Sequence, residues 1–314
     1  MEKPYSVIIL GSGNIGAFYD KPDSEHILSY GHAVNVHSGF YIKGFYDIDY
    51  NRALSASQIW GGKAYKDIQT VSGEEVDIVV IAVPDDYHYE YFQLVQKMNV
   101  RAIILEKPVV NNPKHYLSLM QSQYDKPVFV NYSRRYVPEY IQVKKIISEL
   151  GQFKGGIGYY GKGLLHNGSH MLDLLSYWIG NILRLESKST GTNTNDKDLT
   201  KDAMAYFVDG ESFYIKAIDE KNFTIFEMDL MFEKGRISLK NAGFDIIISS
   251  VVQNSMIESQ KMLKEMEHIE TSLGKSMYHL MENVYCFLER GEPVACSLES
   301  GLAVVKLWLE SNKS

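Results

Sequence analysis

Two histidines four residues apart, His166 and His170, sit in the stretch GLLHNGSHMLD, with Asp173 three residues further on. On a helix this spacing brings the three side chains to one face. Three readings fit such a set. The imidazoles and the carboxylate can ligate a metal, or His170 can exchange a proton with a substrate hydroxyl. The third reading is a plain helix start, capped by Asn167 or Ser169, with His166 packed beside it. A second set lies near the other end of the chain. Gly11, Gly13 and Gly16 form G-x-G-x-x-G directly after the apolar run SVIIL, with Asn14 and Ile15 inside the loop. Gly11 permits a tight turn, and Gly13 lets a pyrophosphate approach the main chain. Gly16 lets the next helix pack closely with its N-terminus toward the phosphate charge.

The next apolar run ends GFYDID and carries Asp47 at its tip. A carboxylate there accepts hydrogen bonds from both ribose hydroxyls of a dinucleotide and repels a 2′-phosphate; the plain alternative is a solvated turn aspartate. Asp47 lies beyond the spacing of about 20 residues usual for this pattern. The segment Asp20–Gly31 fits no helix and is read as a loop insertion that accounts for the excess. No arginine follows Asp47 within three residues, so NAD is the expected cofactor and NADP the second choice.

These residues need elements to hold them. Ser6–Leu10, Tyr41–Tyr46, Asp77–Val83, Ala102–Leu105 and Val128–Val130 are short, apolar and β-branched, as strands covered on both faces are. Helical patterns over Tyr87–Met98 and Pro113–Ser122 alternate with them, which implies a parallel sheet with right-handed crossovers. After residue 130 the pattern changes. A helix is expected around Tyr140–Leu150, then strand-like runs from Ile182 to Val251, then helices at Ser276–Glu289 and Glu299–Glu310. Closely spaced strands without helices between them imply an antiparallel sheet. Ser187–Asp202 is polar and reads as a loop. The expected organisation is a dinucleotide-binding domain over 1–130 and a substrate-binding and oligomerisation domain over 131–314.

The totals narrow the function. A net charge of −7 argues against a general nucleic-acid or anionic-membrane binder. No apolar run approaches the roughly 18 residues of a membrane span, and no signal-peptide pattern opens the sequence. The two cysteines, Cys286 and Cys296, form no CxxC pair and fit free thiols in a reducing compartment. A cytoplasmic location is expected, with no nucleic-acid or membrane partner.

Two further motifs make a specific match. VVIAVPDDYH, with Val83, Pro84 and His88, is followed after a helix by AIILEKPVV, with Glu106, Lys107 and Pro108. NYSRRY follows, with Tyr132, Arg134 and Arg135, and the last helical segment completes the series. This order resembles the Gfo/Idh/MocA oxidoreductase family. The resemblance implies a Rossmann domain with a parallel sheet, joined to an α+β domain with an open, mainly antiparallel sheet that often makes a homodimer or homotetramer interface. It also implies hydride transfer at a sugar, nucleotide-sugar or polyol carbon, with Lys107 at the reacting oxygen and His170 as the proton-transfer histidine. Physical grounds stand beside this for Lys107. A lysine at a strand's C-terminal end lies where ligands sit in open α/β sheets, and its ammonium can stabilise a developing alkoxide.

The remaining assignments stay open at the level of residues. Glu106 either supports the loop or takes a catalytic part at the cofactor site. His88 either lines the pocket with Val83 and Pro84, or caps the helix or packs against the sheet. Arg134 either reaches an anionic substrate group or bonds main-chain carbonyls. The family pattern carries an aspartate four residues before the histidine, where this sequence has His166. His166, Asn167, Arg134 and Tyr132 are therefore the expected sugar-orienting residues, no metal is expected, and a nucleotide sugar is the preferred substrate. The alternative is a non-catalytic dinucleotide-binding sensor of the same fold.

Overall fold

The computed structural model describes residues 3–189 and 198–312. Compactness divides them into two units, one within Met1–Tyr136 and Gly274–Ala303, the other within Val137–Leu273 and Val304–Ser314. This differs from the split expected at residue 130, because residues 274–303 join the first unit.

The first unit is built on six parallel strands. They are β1 (Tyr5–Leu10), β2 (Phe40–Tyr46), β3 (Lys63–Tyr65), β4 (Ile78–Ile81), β5 (Ala102–Leu105) and β6 (Val128–Val130), in the order β3-β2-β1-β4-β5-β6. Val7–Leu10, Ile78–Ile81 and Ala102–Leu105 are wholly buried, which is why their sequences lack alternation. Five helices connect the strands: α1 (Tyr30–Val36), α2 (Tyr50–Trp60), α3 (Ile68–Ser72), α4 (His88–Gln96) and α5 (Pro113–Gln121). Ser29, Asp49, Asp67 and Asn112 cap four of them by accepting from main-chain N–H groups. The strand order reverses direction between β1 and β4, the switch point where open α/β sheets bind ligands.

The segment after the glycine loop departs from a continuous helix. Asn14–Phe18 makes one π-helical turn, the chain then leaves helical geometry, and α1 begins only at Tyr30. The helix dipole expected behind Gly16 is thus a single five-residue turn. The insertion is held from within. The buried Asp20 carboxylate accepts from Leu28 N, Ser29 N, Ser29 Oγ and His32 Nδ1, the last at 2.9 Å. His32 in turn stacks on Trp60, with ring centroids 5.2 Å apart.

The second unit opens with α6 (Pro138–Ile147) and contains an eight-stranded sheet. Its strands are β7 (Phe153–Tyr160), β8 (Ile182–Ser189), β9 (Lys201–Phe207), β10 (Ser212–Ala217), β11 (Phe226–Phe232), β12 (Gly235–Lys240), β13 (Asp245–Gln253) and β14 (Lys261–Glu270). The order is β14-β13-β12-β11-β7-β10-β9-β8, antiparallel except for the parallel pair β7–β10. The expected loop over Ser187–Asp202 is shorter, because β8 runs to Ser189 and β9 starts at Lys201; residues 190–197 lie outside the described residues. Phe213, Ile215, Met228, Leu230, Ile237 and Leu239 alternate inward from three of these strands. Helix α7 (Ser169–Trp178) covers this apolar face. Gly158 of β7 permits its approach: a Cβ there would sit 2.5 Å from the sulfur of Met171. The bare strand thus decides how deeply the helix bearing His170 can seat.

Two helices follow, α8 (Ser276–Arg290) and α9 (Leu298–Ser311). α8 belongs to the first unit, where it packs on α1 and on the 3₁₀ turn Ser133–Tyr136. No helix among the described residues is long and apolar enough to cross a membrane. Asp20→Ala would leave four donors in the insertion without their acceptor. It is expected to lower the unfolding free energy by about 3 kcal/mol in urea titrations. An unchanged midpoint would show that other contacts hold the segment.

Candidate active site

The glycine loop is fixed by what surrounds it. Gly11 has φ +96°, and a Cβ on it would lie 2.4 Å from the carbonyl oxygen of Ala82, at the end of β4. A Cβ on Gly16 would lie 2.0 Å from the carbonyl oxygen of Gly11. Gly13 is different, because a Cβ there meets nothing within 4 Å. The turn is therefore closed on its inner side and open at Gly13, the shape of a cradle that a diphosphate fills. Asn14 is exposed and Ile15 half-buried beside it.

Asp47 closes the same loop. Its carboxylate accepts from Ser12 N at 2.7 Å and from Asp49 N at 2.9 Å, which ties the tip of β2 to the glycine turn. Each carboxylate oxygen keeps a further lone pair for a ribose hydroxyl. Beside it a pocket is lined by Asp47, Ile48, Val83, Pro84, Tyr87 and Tyr91. Ile48 is 91% exposed and Tyr87 half-exposed, so an apolar, partly aromatic slot stands open next to the carboxylate. This donor set and shape fit the adenosine half of a dinucleotide. Ile48, Tyr87 and Tyr91 were not singled out from sequence, since aromatic residues at a helix start carry no spacing signature.

At the end of β5 the chain builds an anchor under a lysine. The Glu106 side chain is buried and its Oε1 accepts from Tyr30 Oη at 2.7 Å and from Asn131 Nδ2 at 2.6 Å. Burial, and then the charge of Glu106, push the Tyr30 phenol well above its usual range, so it remains a donor. The Asn131 amide also reaches Met277 Sδ of α8 at 3.2 Å. Lys107 follows Glu106 and is half-buried; the Lys107–Pro108 peptide is cis. Tyr30 belongs to the segment read from sequence as an insertion, and no motif linked it to Glu106.

His88 turns both ring nitrogens to main-chain carbonyls. Nδ1 lies 2.7 Å from Pro108 O and Nε2 2.9 Å from Val83 O, with the side chain fully buried. Burial pushes its pKa below the usual histidine range, against the opposite pull of the two carbonyls and of Glu106. The ring is wedged between the loop after β4 and the loop after β5, and its one N–H donates to one of the two carbonyls. Tyr132 is buried, Arg134 is half-buried and Arg135 is buried, on or next to the 3₁₀ turn that α8 covers.

In the second unit the two histidines lie on different local structures. His166 is in a π-helical turn, Gly163–Gly168, and His170 is in the first turn of α7. Neither Asn167 nor Ser169 caps this helix. Asn167 Nδ2 donates to Gly161 O at 2.9 Å, and Ser169 Oγ donates to His166 O at 3.3 Å. His166 Nδ1 lies 2.7 Å from Asp198 Oδ2. Asp198 went unnoticed in the sequence because 32 residues separate it from His166. Among the described residues no three His, Cys, Asp or Glu side chains are arranged to hold a metal ion.

Comparison with known proteins agrees with this geometry. Residues 5–132 match the model of the oxidoreductase family with NAD-binding Rossmann fold, GFO_IDH_MocA. No curated protein matches the chain in sequence. Among solved structures, a protein of Desulfitobacterium hafniense assigned as an NADPH-dependent oxidoreductase aligns with TM-score 0.82 at 15% identity, covering 100% of this chain and 96% of its own. The UDP-N-acetylglucosamine 3-dehydrogenase of Acidithiobacillus ferrooxidans aligns with TM-score 0.78 at 13% identity, covering 99% and 98%. An Agrobacterium radiobacter oxidoreductase solved with NAD+, L-tartaric acid and magnesium gives TM-score 0.75 at 15% identity, covering 99% and 97%. At such identities these structures establish a shared fold. Residues 5–132 thus match the Gfo/Idh/MocA oxidoreductase family in its NAD-binding Rossmann fold.

Proposed function

We propose that the protein is an NAD-dependent oxidoreductase that moves a hydride between the nicotinamide and a carbinol or keto carbon of a sugar, nucleotide sugar or polyol. The observation that carries this reading is Lys107, seated on the Glu106 anchor in the same sheet as the Gly13 cradle. The bound dinucleotide supplies the hydride acceptor or donor. Asp47 holds the ribose and disfavours a 2′-phosphate. The Lys107 ammonium stabilises negative charge on the reacting oxygen, and a group of this kind contributes about 3 kcal/mol to a transition state.

A hydroxyl that loses hydride from its carbon must also lose its proton, and His170 takes it up. His166 and the amide oxygen of Asn167 are the sugar-orienting groups of the second unit, and Arg134 and the buried Tyr132 those of the first. Proteins of this fold include a UDP-N-acetylglucosamine 3-dehydrogenase and a protein assigned as a myo-inositol dehydrogenase, so nucleotide sugars and polyols are both substrates to try, nucleotide sugars first.

Lys107→Ala and His170→Ala are each expected to lower kcat roughly 100-fold or more while NAD affinity stays within a few-fold, measured by steady-state rates and calorimetry. Near-normal turnover in both variants would overturn the mechanism. Asp47→Ala is expected to weaken NAD binding by about 10–100-fold and to narrow the preference over NADP. Equal loss of both affinities would instead mean that Asp47 only braces the glycine turn.

A further inference from the structure

The sheet of the second unit ends at β14, whose outer edge carries no further strand among the described residues. Its residues are exposed apart from Ile269, which is half-buried. Half of the main-chain N–H and C=O groups of such a strand point outward and can pair with another strand. Two bonds fix which half. Thr271 N donates to Phe244 O at 2.8 Å and Gln260 O accepts from Asn254 N at 3.0 Å, so these groups of residues 271 and 260 face β13. Directions alternate along a strand, and the main-chain groups of Glu270 and Lys261 therefore face outward. Free edges are commonly blunted by charge, but β14 sorts its charges lengthwise. Lys261 and Lys264 lie in its first half, and Glu267 and Glu270 in its second, with Glu265 at the middle. Among the described residues none of these five forms an ion pair within the chain. His268, by contrast, is held by Asp245 at 2.9 Å.

We propose that β14 pairs with β14 of a second copy of this chain, antiparallel about a two-fold axis between Glu265 and Met266, so that two sheets join at their edges. The lysine half of each strand then meets the glutamate half of the other. Lys261 of one copy faces Glu270 of the other, Lys264 faces Glu267, Met262 faces Ile269 and Leu263 faces His268. Residues opposed in this way must lie on the same side of the sheet. A regular strand would fail here, because residues 261 and 270 are an odd number apart and would point to opposite sides. The β-bulge corrects it. Ser249 pairs with Glu265 and Ile248 with Glu267, so Met266 is an extra residue that shifts the alternation by one. Met262, Lys264, Glu267 and Ile269 consequently share the side of the buried Ile246 and Ile248, and Lys261, Leu263, His268 and Glu270 share the other. Each of the four pairings is matched in side. A slip of one residue puts every one on opposite sides, and a slip of two parts both lysines from Glu267 and Glu270. The one like-charge approach is that of Glu265 to its own copy at the axis, against two Lys–Glu pairs on either side of it. The joint is made by main-chain bonds along one edge, and it does not depend on the reaction proposed above.

The test follows the full-length protein by sedimentation over a concentration series. The unaltered chain is expected to associate. Lys261→Glu with Lys264→Glu sets glutamate against glutamate in each charged pair and is expected to weaken association roughly tenfold or more. Adding Glu267→Lys and Glu270→Lys to the same chain exchanges the two signs. Opposite charges then meet again only in this antiparallel register, and association is expected to return to within about threefold of the unaltered chain. Met262→Cys with Ile269→Cys reads the register without altering charge. These residues form a closely spaced, non-hydrogen-bonded pair between the copies, so oxidation is expected to give a covalent dimer. Met262→Cys with His268→Cys, one residue out of register, is expected to give none. The native Cys286 and Cys296 are buried, and the unaltered chain under oxidation is the control. A chain that stays monomeric up to about 100 µM overturns the proposal. So does association that the lysine reversals leave within about threefold, which would place the joint on another surface. A loss that the exchanged chain does not recover, with no covalent dimer from Met262→Cys and Ile269→Cys, overturns it equally.

Discussion

Glu106 is a carboxylate kept away from water, and much of the first unit is arranged to keep it satisfied. An unpaired charge in that position would cost several kcal/mol. Its donors come from α1, through Tyr30, and from the segment after β6, through Asn131. Asn131 in turn contacts α8. A phenol, an amide and a thioether from three distant stretches of sequence therefore meet beneath the residue before Lys107. His88 adds a brace from the other side, its two ring nitrogens facing the carbonyls of Pro108 and Val83 and its one N–H donating to one of them. The lysine's position is the product of these bonds, more than of the lysine itself.

The pattern of what was legible in the sequence follows from this. Strands β1, β4 and β5 are short continuous apolar runs, and burial on both faces leaves that signature directly in the residues. Gly11 and Gly16 were legible because local chain geometry admits no other residue, and the structure gives the clashes that enforce it. β14 was invisible for the opposite reason. Its sequence, KMLKEMEHIE, is nearly all exposed, so it carries charges where a buried strand would carry apolar residues. The expected helix after Gly16 was also partly wrong, because the tightly bonded Asp20 segment replaces most of it.

At the candidate site, a motif is legible in the sequence and a partner brought by long-range packing is not. The stretch GLLHNGSHMLD suggested a helix start with a capping residue, yet a π-helical turn precedes α7 and neither Asn167 nor Ser169 caps it. The missing aspartate of the family pattern has a counterpart in space. Asp198 places a carboxylate against His166 from outside the helix, so the stretch that lacks an aspartate in sequence has one beside it in space. No spacing rule reports this, since the partner arrives from the start of the sheet.

The first unit is discontinuous in sequence, with its sheet complete by residue 130 and α8 contributed after residue 273. On a ribosome, the intervening residues take on the order of ten seconds to make. Through that interval the parallel sheet exists as chain, but the helix that covers its 3₁₀ turn and meets Asn131 does not. The nascent first unit therefore waits with apolar surface uncovered, and its folding is completed by residues made only after the whole sheet of the second unit.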